Sequence, residues 1–161
     1  MPTAARLKEV RDGAVAKILA AWTDRGANDA VAGVYRIDLD ASNLTGRKVF
    51  VFPVSVAGRQ VDRTEDENDY ALGVWVVERY EPQGDPPDAW LDDRLAWVEW
   101  LWRTLGNPRG ARLLADPGEP NSGLWPAVAE ITAAYDHDEL AEGKLFASVL
   151  TVIYREHVEG P

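Results

Sequence analysis

The sequence predicts an α+β domain: a mainly antiparallel central sheet of about four or five strands, flanked by an N-terminal helix and one long central helix. Three observations lead there. Two strand-like runs, VFVFPVSV and YALGVWVVERY, enclose the polar segment AGRQVDRTEDEND and read as an antiparallel hairpin. A further run, LFASVLTVIYR, supplies a third central strand. Two other segments repeat their apolar residues at helical spacing.

In chain order, Thr3 can cap a helix on which Leu7, Val10, Ala14, Ile18 and Trp22 share one face. Gly13 lies inside it and costs about 1 kcal/mol relative to alanine, so packing has to support the helix. The pattern VYRIDL, residues 34–39, alternates and reads as a half-solvated edge strand. The hairpin follows at residues 48–80, with apolar groups on both faces of its first strand, as expected inside a sheet. EPQGDPPDAW then stops the strand and opens the central helix near Pro86. That helix places Leu91, Leu95, Val98, Leu101, Trp102 and Leu105 on its apolar stripe, with Trp97 at the border and Trp100 away from it. Gly106 and Pro108 end it. A loop rich in proline and glycine follows, in which ARLL can form a short strand; residues 127–135 read as another strand, and residues 136–143 as one capped helical turn. The tail EHVEGP is expected to fray.

At 161 residues the chain fits one domain, residues 1–161, able to bury a core without disulfides or metals. It has no cysteine, which removes zinc–thiolate sites and cysteine nucleophiles and suits a reducing compartment. The first residues are charged, and no run reaches a membrane span, so a soluble, unexported protein is expected. A formal charge of -10 argues against direct wrapping of nucleic acid, because phosphates need clustered lysine and arginine. An acidic surface can still let a duplex slide past.

The sequence arranges few groups for chemistry. His137 and His157 lack the spacing of a zinc helix, and nucleophile elbows and phosphate-cradling loops are missing. DLDASN begins like a calcium loop but lacks the required glycine and the bidentate glutamate. DHDE, residues 136–139, reads better as a helix cap than as a cation site. No catalytic, cofactor-binding or metal residues are therefore assigned, and no enzyme is expected. The polar segment of residues 59–69 says more. As a loop it gathers Arg59, Arg63, Glu65, Asp66 and Glu67, both signs together, as in contacts that set register between identical subunits. The chain also holds 7 tryptophans. Trp100 on a polar helix face and Trp125 in a Gly/Pro loop suggest subunit-interface or channel positions, whereas Trp22, Trp75 and Trp102 read as core.

The order of helix, DLDASNL turn, KVFVFPV, RQVDRTEDENDY and LGVWVV resembles tail-terminator, or tail-completion, proteins of long-tailed bacteriophages. WLDDRLAWVEWLWRTL and the closing YDHDELAEGKLFASVLTVIYR agree with that resemblance, which spans residues 3–155. It implies a structural virion protein assembled in the host cytoplasm. Such proteins form a ring, usually a homohexamer, at the head-proximal end of the tail, where they end tube polymerisation and join the tail to the neck. The implied partners are the chain itself, the tail tube protein and a neck or head-completion protein. Genomic DNA would pass through the channel without specific binding, and no membrane or cofactor is implied. Alternatives are another neck component, such as a head-side stopper or adaptor, and an acidic DNA-mimic inhibitor.

Overall fold

The structure, a computed structural model, describes residues 3–25, 30–33, 47–110, 112–119 and 122–159. Its elements are α1 (Thr3–Arg25), β1 (Ala30–Gly33), β2 (Lys48–Gln60), β3 (Glu65–Arg79), α2 (Asp88–Gly106), β4 (Trp125–Ala133), α3 (His137–Gly143) and β5 (Leu145–Glu159). The five strands form one sheet in the order β1-β2-β3-β5-β4. All neighbours pair antiparallel except β1 with β2, which run parallel. The expected α+β architecture is thus present, with the third run, β5, inside the sheet beside β3. The strand expected at residues 34–39, like the DLDASN turn, lies outside the described residues; the described edge strand is the preceding Ala30–Gly33.

Strand alternation divides the sheet into two faces. On one, Val49, Val51, Leu72, Val74, Val76, Phe146, Leu150 and Val152 are buried in a single cluster with Val10, Ala14, Ile18 and Trp22 of α1 and Val98, Leu101 and Leu105 of α2. Tyr154 donates its hydroxyl hydrogen to the Leu105 carbonyl at 2.9 Å, so the last turn of α2 is tied to the sheet through an otherwise unpaired acceptor. The other face carries a smaller cluster of Val77 and Leu145 with half-buried Phe50 and Trp75. Phe52 sets its ring edge-on to Trp75 at 5.5 Å. Gly73 leaves room for it, because a Cβ there would stand 2.6 Å from Phe52 Cε2.

Several local expectations change. α2 begins at Asp88 rather than near Pro86, with Pro87 before it and no side-chain cap, and Asp85 of the preceding turn pairs with Lys144 at 2.7 Å. Asp136 does cap α3, accepting from the Asp138 and Glu139 amides. The tail does not fray at residue 156: β5 stays paired with β3 as far as Glu159 opposite Glu65. Leu113 and Leu124 form an isolated bridge where ARLL suggested a strand. Packing does not require glycine at Gly13, since a Cβ there would meet Leu114 Cδ2 at an ordinary 3.4 Å.

Candidate functional site: a polar tongue at the end of the sheet

Residues 59–69 are not a loop. The β2–β3 ladder continues from Ala57 opposite Asp69 to Gln60 opposite Asp66, leaving a turn of residues 61–64. With the end of β5 on its other side, this hairpin makes a three-stranded tongue that is mostly polar on both faces, exposed Val158 opposite Asp66 excepted. The sequence signal for a loop was polarity, but a ladder solvated on both sides is polar too, and cross-strand ion pairs hold it.

Register explains those pairs. Arg59 stands opposite Glu67, Glu67 opposite His157, and Asp69 opposite Arg155, all on the face away from the helices. Arg59 Nε donates to Glu67 Oε2 at 2.6 Å. Arg155 holds Asp69 with two bonds, at 2.7 and 2.9 Å, and its Nε lies 3.7 Å from Glu67 Oε2. His157 Nδ1 is 3.7 Å from Glu67 Oε1. The hydrogen bonds from Arg155 hold the Asp69 carboxyl below the usual carboxylate range, against the opposing effect of burial. Glu67 is buried and committed within the chain, which removes it from the set of candidate interface residues. Asp66 is half-buried on the opposite side of β3.

At the tip, Asp62 accepts from the Thr64 amide at 2.6 Å, the Thr64 hydroxyl at 2.9 Å and the Glu65 amide at 2.9 Å. Those bonds lower its carboxyl, the Thr64 amide most of all. The turn leaves Val61 49% exposed. Arg63 and Glu65 are exposed beside it, and neither has an ion-pair partner among the described residues. The sequence reading does not single out Val61; the available signal was one β-branched apolar residue in an otherwise polar turn.

The tryptophans also move. Trp100 is half-buried and sets its ring edge-on to Trp22 at 5.9 Å and to Trp97 at 5.2 Å. The apolar stripe of α2 therefore extends to Trp100, because α1 crosses on that side. Trp102, expected in the core, is 36% exposed and donates its indole hydrogen to the Ala129 carbonyl at 2.9 Å. Trp125 is the first residue of β4, not a loop residue, and lies between His157 at 4.8 Å and the Arg112 guanidinium at 5.3 Å.

Among the described residues no group of histidines and carboxylates could hold a metal ion, and no helix is long and apolar enough to cross a membrane. The chain matches no family model and no curated protein sequence.

Proposed function

We propose that copies of this chain close into a ring that ends and caps a phage tail tube and joins it to the neck, in the manner of the tail terminators it resembles. The observation that carries this reading is the tongue. Its tip offers exposed Val61 next to Asp62 and Arg63, with Arg63 unpaired among the described residues, as expected of a contact between subunits. The net charge of -10 suits a channel from which DNA slips. It suits a DNA mimic less well, because Glu67, Asp69, Glu78 and Glu156 are engaged by arginines and do not form a free row of phosphate-like charges. The reading assigns no catalytic step. Electron microscopy and native mass measurement test it: rings with a pore wide enough for duplex DNA are expected, and solitary molecules at high concentration would overturn it. Rings on tails that have never met a head separate a terminator from a head-side stopper or adaptor.

A further inference from the structure

We propose that the tongue tip of one copy docks into the groove between α2 and β4 of the next copy, an inference that rests on the ring reading. The groove has a volume of about 400 Å³; Leu95, Val98, Ile131 and Ala134 give it apolar walls, and Asp92 and Glu99 line it as well. Both acids are exposed and lie roughly two turns apart on α2, hence close to one face. Asp92 has no ion-pair partner among the described residues, and Glu99 has only exposed Arg103 at 3.9 Å.

Two side chains of the turn match this groove, while exposed Glu65, the first residue of β3, would stay outside the contact. Val61 is an apolar knob, Arg63 beside it is a cation unpaired among the described residues, and the Asp62 bonds hold the turn in shape. Val61 would enter between Leu95 and Ile131 while Arg63 meets Asp92 or Glu99. The match of Val61 to the apolar walls and of Arg63 to Asp92 or Glu99 selects a second copy as the occupant, since one chain carries both halves. The two halves cannot meet within one chain. Ile131 is level with Val74 through Leu150, which puts the groove roughly 30 Å along β3 from Glu65, on the opposite sheet edge. A contact between two different patches of one protomer is head-to-tail, the geometry that closes rings.

The absence of cysteine makes the test direct. A chain carrying Val61→Cys and Ala96→Cys, Ala96 being an exposed groove residue, should give a ladder of disulfide-linked copies on mild oxidation. Val54→Cys with Ala96→Cys, on an exposed part of β2 away from the tip, should give none. In parallel, Arg63→Glu should weaken self-association about tenfold or more, and Asp92→Arg with Glu99→Arg in the same chain should restore it. Rings by native mass without a 61–96 ladder, or an Arg63→Glu chain that associates normally, overturn the docking and leave the ring reading standing. Solitary wild-type molecules overturn both.

Discussion

The Tyr70 hydroxyl donates to Glu156 Oε1 at 2.7 Å, joining β3 to β5 where the apolar core gives way to the polar tongue. Arg6 of α1 grips the same carboxylate, with Nη2 at 2.6 Å from Oε2 and Nε at 3.3 Å from Oε1. Burial pushes the Glu156 carboxyl up, but the bonds from Arg6 and Tyr70 outweigh it and hold the group below its usual range. A carboxyl depressed in this way contributes stability that is complete above its unfolded value, about 4.3, and is lost as pH falls through the lower folded value. Tyr70→Phe should cost about 1 kcal/mol, a fall of about 2–4 °C in Tm. Glu156→Gln should cost about 2 kcal/mol at neutral pH, a discounted figure because Arg6 is partly exposed. It should also flatten the acid side of the stability profile. Denaturant titrations at neutral and acid pH check this, and equal acid slopes would refute it.

At the alkaline end, burial first and the Glu156 bond second push the Tyr70 hydroxyl up to about 12. A raised folded value means that the stability from this group is complete below about 10 and is lost as pH rises through about 12. Ultraviolet titration should show a tyrosinate step near 12 that is lost in Tyr70→Phe, while Tyr154, pushed up further by burial alone, titrates later in both chains.

Gly73→Ala should cost about 1–3 kcal/mol by overpacking, because the new Cβ would meet the Phe52 ring directly. Phe52 is half-buried on the face away from the helices, so shortening it should relieve the clash. The Gly73→Ala, Phe52→Leu double variant is expected to be more stable than the sum of the two single changes, as read by a double-mutant cycle. Additive losses would mean that the ring swings aside.

The apolar alternation of β2, β3 and β5 and the α1 face through Val10, Ala14, Ile18 and Trp22 could be read from residue spacing, because burial on one side imposes a period. The tongue could not. Arg59, Glu67, Asp69 and Arg155 stabilise strands through partners across the sheet, and that register leaves no period along the chain. The helical wheel likewise placed Trp102 inward and Trp100 outward as though α2 met only a flat sheet. In fact α1 brings Trp22 against Trp97 and Trp100, while β4 presents the Ala129 carbonyl to Trp102. Of the proposed docking pair, the apolar residues of the groove looked like ordinary core, since its open side depends on where β4 ends up.

Trp22 and Trp102 reverse the usual relation between depth and cost. Trp22 is 2% exposed, yet its Nε1 is buried without an acceptor among the described residues. Trp22→Phe therefore removes an unsatisfied donor, worth about 1–3 kcal/mol, which offsets much of the cavity it opens. Trp102→Phe loses a satisfied bond to the outer strand, about 1 kcal/mol, and frees the Ala129 carbonyl on an edge that Pro126 and two register shifts otherwise blunt. The shallower substitution should thus be at least as destabilising by denaturant titration and the more prone to aggregate on light scattering.

Asp62 connects tip geometry to assembly. The Val61 and Asp62 amides bond to the Glu65 carbonyl at 3.0 and 3.2 Å, and the Asp62 carboxylate closes the turn from the other side. Asp62→Ala should raise amide exchange at residues 61–65 while global Tm stays unchanged, because the turn is exposed and lies outside the core. The depressed carboxyl gives the same loosening as pH falls through its folded value, with stability complete above about 3.9. If the tip docks into the α2–β4 groove, ordering a loosened turn costs entropy at each contact, so Asp62→Ala should weaken self-association although Val61 and Arg63 are both present. Sedimentation of the variant beside wild type, with exchange measured on the same samples, decides the matter. Loose tips with undiminished association would place the contact elsewhere on the protomer.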